Sequence, residues 1–185
     1  FVPTDSGVEY LADRTGAGVT VRILTNSLEA TDVPAVHGGY APYREAMLDL
    51  GVRLFELRRQ PEQEPSYSFL GESESSLHSK AAVFDQEKVF IGSLNLDPRS
   101  VLWNSEVGVL VESQELAREV QRLTLEGMSP ALSYEVRLEE RDGRKQLVWI
   151  AEDDGRLRVI DKEPGGLCRR FNAWFAEIIG LEKML

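Results

Sequence analysis

The sequence predicts an α/β fold: a mixed β-sheet flanked by helices, with a small C-terminal β meander and a terminal helix. Three observations carry that expectation. Between residues 19 and 57, β-alternating segments bracket a stretch with helical apolar spacing, and strand–helix–strand order builds layered sheets. Between residues 77 and 128, two short strands joined by a polar turn lead to a third strand and an amphipathic helix. From about Ser133 the texture changes to strands separated by glycine turns, RDGRK and DDGR. The chain is therefore expected to divide into residues 1–130 and 131–185.

Taken in order, SGVEYLADRT (residues 6–15) has apolar residues at helical spacing, and GAG ends the run. VTVRILT (19–25) alternates as a strand does, with β-branched residues. A helix is expected over Tyr40 to Leu50, closed by Gly51, and VRLFEL follows as a strand. Residues 59–76 are rich in Pro, Ser and Glu and read as a loop. LHSKAAVF and VFIGS form a hairpin through Asp85-Gln86-Glu87-Lys88, and EVGVLV is a further strand. SQELAREVQRLTLEGM is a helix, with Ser113 as its N-cap and Glu115 in its first turn. YEVRLEE, QLVWIAE and LRVIDKE make the meander. In CRRFNAWFAEIIG, Phe171, Trp174, Phe175 and Ile178 share one helical face. That face either packs on protein or lies in a membrane interface, with Arg169 and Arg170 near headgroups.

Composition narrows the function classes. With 31 Asp and Glu against 21 Lys and Arg, the chain lacks the basic stripe that sequence-independent binding to a long nucleic acid requires. A local positive pocket remains compatible with a net charge of −10, because the field at a site is not the net charge. The single cysteine, Cys168, excludes an internal disulfide framework and a cysteine-based zinc site. The chain starts at Phe1, and FVP reads like the tail of a buried strand, so a piece of a longer protein is expected.

The chemistry concentrates in LHSKAAVFDQEKVFIGSLNLD (77–97). Residues two apart on a strand project to one face, so His78 and Lys80 point together. Gly92 lets the backbone bend closely, and Ser93 and Asn95 can turn toward the same spot. An imidazole, an ammonium, a hydroxyl and a carboxamide converging there make a metal-free phosphate site. Histidine can attack phosphorus as the neutral imidazole or donate a proton as the imidazolium. It works best with its remote nitrogen held by a carboxylate, for which Glu106 is the best-placed candidate. Asp85 alone is an ordinary turn residue. His37, in VPAVHGGY, sits among glycines outside this pattern; it is expected to be solvated or, with Tyr40 and Tyr43, to touch substrate.

H-x-K-x(4)-D followed by G-S-x-N resembles the HKD motif of the phospholipase D superfamily. His78, Lys80 and Asp85 match the first part, and Gly92, Ser93 and Asn95 the second. FVPTDSGVEYLADRTGAGVTVRILTNSL, VHGGYAPYREAMLDLGVRLFEL and EPGGLCRRFNAWFAEIIGLEKML look like the C-terminal half of bacterial cardiolipin synthases, the C type in particular. The resemblance implies phosphatidyl transfer between phospholipids at a membrane surface, by a peripheral bacterial enzyme without cofactor or metal. It implies a phosphohistidine on one histidine and acid–base work by the other. His78 takes the acid–base role, Lys80 clamps phosphate, and Asp85 orders the turn. The family builds its site from two such motifs, and this chain has one. The other must come from an N-terminal half or from a second copy. Two alternatives stay open: a homodimeric HKD nuclease or phosphodiesterase, and an inactive isolated half that only binds its partner half.

Overall fold

The computed structural model describes residues 1–31, 33–59, 77–166 and 169. Helix α1 (Thr4–Gly16) leads into strand β1 (Arg22–Asn26) through Gly18, whose φ of +84° a side chain would disfavour. β1 pairs in parallel with β2 (Arg53–Leu57), from Arg22 opposite Arg53 to Asn26 opposite Leu57. A parallel pair requires a crossover connection, and helices supply it.

That crossover differs from the single helix expected over Tyr40 to Leu50. Helix α2 spans Pro34–Tyr40, a 3-10 turn spans Ala41–Tyr43, and helix α3 spans Arg44–Asp49. Pro34 starts α2 at a position whose N–H would be unpaired anyway, whereas Pro42 lacks an N–H that a continuous helix would use. Gly38 and Gly39, read from sequence as a turn, lie buried inside α2 between His37 and Tyr40. Packing there outweighs the poor helix propensity of glycine.

The other edge of β2 is taken by β6 (Ser133–Arg141), followed by β7 (Arg144–Asp153) and β8 (Arg156–Ile160), in the order β1-β2-β6-β7-β8. Only β1–β2 is parallel, so this sheet is mixed. The Asp142-Gly143 and Asp154-Gly155 turns have positive φ throughout, as tight antiparallel hairpins demand. The meander therefore completes the first sheet and is no separate appendage. Leu54 sits opposite Val136, and Tyr134, Val136, Trp149 and Ala151 share one core with Tyr40, Met47, Val52 and Leu54. Each large apolar side chain buried this way contributes roughly 1.5–3 kcal/mol.

The remaining strands form a second, antiparallel sheet: β3 (Ala81–Phe84), β4 (Lys88–Gly92) and β5 (Gly108–Glu112), in that order. Helix α5 (Gln114–Gly127) packs Ala117 and Val120 on Val89 of β4, with Val83, Ile91 and Leu116 around them. Ser113 caps α5 as expected, its Oγ accepting from the Leu116 N–H at 3.3 Å. Between β4 and β5 lies the short helix α4 (Pro98–Leu102). The architecture is mixed α/β with sheets flanked by helices, but its strands are divided between two sheets.

Downstream of β8 the chain folds back. Arg169 donates to the Leu28 and Thr31 carbonyls at 3.2 and 2.6 Å, so its guanidinium ties down the loop after β1 instead of facing headgroups. The apolar face from Phe171 to Ile178 and the loop over residues 60–76 lie outside the described residues. Among the described residues, no helix is long and apolar enough to cross a membrane.

Candidate active site

The segment Leu77–Lys80, expected to be strand, enters no regular ladder; pairing starts at Ala81. Asn26, the last residue of β1, holds it instead. Its Nδ2 donates to the Leu77 carbonyl at 3.1 Å, and its Oδ1 accepts from the Leu77 N–H at 2.6 Å. At the other end, the Gly92 N–H donates to the Lys80 carbonyl at 3.0 Å. His78 is thus presented at the surface on a backbone anchored at both ends.

Lys80 is partly buried, and its Nζ donates to the His78 carbonyl at 2.8 Å. Burial draws its pKa below the ordinary lysine value, against the opposing pull of Glu106 and Asp97. Ser93 follows Gly92 at the end of β4. Its Oγ donates to Glu106 Oε2 and accepts from the Val107 N–H at 3.0 Å. Asn104 Nδ2 donates to the other Glu106 oxygen at 3.3 Å. The Ser93 hydroxyl first, then Asn104, Ser100 and Lys80, outweigh desolvation and keep the Glu106 carboxyl below its usual range.

Glycine is required at two places here. A Cβ on Gly92 would stand 2.6 Å from the Val107 carbonyl oxygen, and one on Gly108, its ladder partner, 2.4 Å from the Phe90 ring. This contact lets β4 and β5 close tightly enough for Ser93 to reach Glu106.

The geometry therefore gathers Lys80, Ser93 and Glu106, with His78 attached through its backbone. Asn95, two residues after Ser93, is exposed and lines a cavity of about 150 Å3. Glu106 is engaged by Ser93 and Asn104, and among the described residues no hydrogen bond joins it to the His78 ring. Asp85 lies elsewhere. It occupies the β3–β4 turn with φ +51°, exposed; at roughly 3.3 Å per residue it stands about 16 Å along the strand from Lys80.

His37 neither faces solvent nor joins this group. It is buried in α2, its Nε2 is 2.6 Å from Glu163 Oε1, and its ring stands edge-on to Tyr40. Arg44 NH1 lies 2.8 Å from the same Glu163 oxygen and 3.2 Å from Glu56 Oε1, while Glu56 Oε2 accepts from the Trp149 indole at 2.9 Å. Desolvation raises the Glu163 pKa, but His37 and Arg44 more than reverse this and hold it at about 2. His37, Glu56 and Glu163 offer metal-ligand atoms within 4.8 Å of one another, yet the Arg44 guanidinium already supplies the positive charge between the two carboxylates.

Sequence reasoning missed Asn26, Arg44, Glu56 and Glu163. A signal existed for Glu56, which falls on the same strand face as Val52 and Leu54. A carboxylate on a core-facing strand position demands a buried cation.

Residues 1–125 match the family described as cardiolipin synthase, PLD-like domain. The chain belongs to this phospholipase D-like family. Over 189 residues it is 38% identical to cardiolipin synthase C of Escherichia coli (strain K12), covering 100% of this chain and 39% of that protein. Over 157 residues it is 30% identical to cardiolipin synthase A of Pseudomonas fluorescens (strain SBW25), covering 85% of this chain and 29% of that one. The chain thus spans well under half of the length of these relatives. Its fold is similar to the crystal structure of a phospholipase D family member, Nuc from Salmonella typhimurium. The TM-score is 0.52 at 17% identity, over 72% of this chain and 74% of the other.

Proposed function

We propose that this chain forms one half of a phosphatidyl-transfer site in a cardiolipin synthase-like enzyme acting at a bacterial membrane surface. The observation that carries the reading is the convergence of Lys80, Ser93 and Glu106 beside a surface-presented His78. Lys80 offers charge to a phosphate and the Asn95 amide offers hydrogen bonds to its non-bridging oxygens, while the Ser93 hydroxyl gives its one proton to Glu106. Glu106 positions Ser93 and Asn104 from behind.

A histidine from outside this chain attacks phosphorus, forming a phosphorus–nitrogen bond as the bond to the leaving alcohol breaks. The His78 imidazolium gives its proton to that alcohol. The neutral His78 then takes the proton of an incoming hydroxyl, whose oxygen attacks phosphorus and releases the first histidine. No metal is needed in this sequence. Asp85 serves by ordering the hairpin turn.

The second histidine arrives with an N-terminal half or a second copy. Its docking surface is the second sheet, where β5 is an edge strand carrying exposed Val109 and Leu110 on opposite faces. Val107 is 74% exposed and Trp103 of the preceding loop 82% exposed. Apolar groups so bare beside a candidate site mark a surface that is covered in the working assembly.

The test uses the full-length gene product with labelled phosphatidylglycerol in vesicles. His78→Ala and Lys80→Ala are each expected to lower phosphatidyl transfer by roughly 10²–10⁴-fold. Retained transfer in both variants overturns the reading. Cleavage of DNA without any transfer between lipids favours the nuclease alternative.

A further inference from the structure

The chain that leaves β8 returns across the turn that follows β1 and grips it. Arg169 NH1 donates to the Leu28 and Thr31 carbonyls at 3.2 and 2.6 Å. Both residues are buried, where a carbonyl without a donor is costly. Gly165 has φ +148°, and a Cβ on it would stand 3.0 Å from Leu28 Cδ2, so its bare backbone packs against that side chain. Two residues earlier, Glu163 fastens the same returning chain to His37 of α2 at 2.6 Å and to Arg44 of α3 at 2.8 Å.

None of these groups belongs to the phosphate cluster, but the turn they grip begins beside Asn26. The Asn26 side chain holds Leu77 by two bonds, and Leu77 precedes His78. Asn26 is the last residue of β1 and pairs with Leu57 on the last rung of that ladder. Ladder ends open at little cost unless the chain beyond them is held. Past Asn26 the Ser27 N–H still reaches the Leu57 carbonyl at 3.2 Å, and Glu29 ties the turn to the Tyr134 hydroxyl at 2.9 Å. Everything else that fastens the outer side of the turn comes from Gly165 and Arg169. A continuous line of contact therefore runs from Arg169 through Leu28, Asn26 and Leu77 to His78.

We propose that Arg169 and Gly165 are positioning residues for the acid–base histidine. By fixing the turn over residues 27–31 they hold Asn26, and through it the segment 77–80, in the geometry that transfer requires. The role of His78 in this proposal rests on the phosphatidyl-transfer reading; the mechanical link does not. Both residues lie past residue 125, where the match to the family model ends. The histidine is thus steadied from a part of the chain outside the matched stretch.

The experiment places Arg169→Ala and, separately, Gly165→Ala in the full-length gene product. Amide hydrogen exchange is read at Leu77, with buried Val148 of the first sheet as the internal reference, and phosphatidyl transfer is read with labelled phosphatidylglycerol in vesicles. Exchange at Leu77 is expected to quicken about tenfold with Val148 unchanged, and kcat to fall about tenfold with KM unchanged. One nitrogen of Arg169 makes both carbonyl bonds, so Arg169→Lys, whose Nζ carries three donors, is expected to recover both readouts. Leu77 exchange or kcat unmoved in both variants overturns the proposal. So does equal quickening at Val148, which marks general stability, or a rise in KM with kcat kept, which marks a headgroup contact. No transfer by the unaltered protein overturns the phosphatidyl-transfer reading and the positioning role with it, while Leu77 exchange still judges the link between the turn and that segment.

Discussion

Glu56 and Trp149 meet across the first sheet: the indole N–H donates to Glu56 Oε2 at 2.9 Å, while Arg44 sits 3.2 Å from Oε1. Arg44 is itself held over the Tyr40 and Trp149 rings, 5.4 Å from each centroid. A carboxylate with 0% exposure is tolerated only because both of its oxygens are occupied and its charge is matched. Glu56→Ala leaves the buried guanidinium with Glu163 alone and the indole without an acceptor. It is expected to destabilise the fold by about 3–5 kcal/mol, read as a lower urea midpoint. A loss under about 1 kcal/mol would show that the network is not part of the core.

Glu163 gives the protein an acid-sensitive component. Its folded pKa is about 2, against an ordinary value of 4.5, with burial opposing and the His37 bond and Arg44 charge producing the depression. A depressed carboxyl stabilises the fold above the unfolded-state value and loses that contribution as pH falls. Stability is therefore expected to drop between pH 4.5 and about 2, and Glu163→Gln should flatten this part of the profile. Urea titrations of both proteins across that range check it.

Asn26 is expected to act on the site without touching substrate. Asn26→Ala removes both bonds to Leu77 and frees the segment that presents His78. Each lost bond costs about 0.5–1.5 kcal/mol. The measurement is amide hydrogen exchange at Leu77 together with transfer rate: faster exchange and a lower kcat are expected, with KM little changed. Asn26→Asp keeps the acceptor for the Leu77 N–H but sets a carboxylate against its carbonyl, so it should recover little.

Gly92 and Gly108 should differ in tolerance. The obstacle at Gly92 is backbone, the Val107 carbonyl, while at Gly108 it is the Phe90 ring, which can turn aside. Gly92→Ala is expected to cost about 1–3 kcal/mol and to weaken the Ser93–Glu106 contact. Gly108→Ala should cost less. Thermal unfolding of both variants ranks them, and the reverse order would contradict the packing described.

Much of this was legible from the chain. The period-two segments around Val21 and Leu54, the Ser113 cap and the Asp-Gly turns fix local structure by short-range chemistry, and they appear where sequence placed them. The Gly92 bend was legible because it is local, whereas the expected strand alternation at His78 and Lys80 did not form, since pairing starts at Ala81. What was not legible depended on distant partners. Nothing near β2 says that β6 lies along it, since edge pairing is decided by which apolar faces complete a core. His37 looked solvated because its carboxylate partner, Glu163, stands 126 residues away. Asn26 gave only the hint of a poor strand former closing a strand.

The ladder between β2 and β6 also governs where this polypeptide can be cut. The match to the family model ends at residue 125, ahead of every meander strand. A fragment stopped there would keep His78, Lys80 and Ser93 yet strip the lining from Leu54 and leave Phe55 and its neighbours as a bare, adhesive rim. Such a fragment is expected to aggregate, so the stretch that the family model covers and the stretch that completes this core are different lengths of chain.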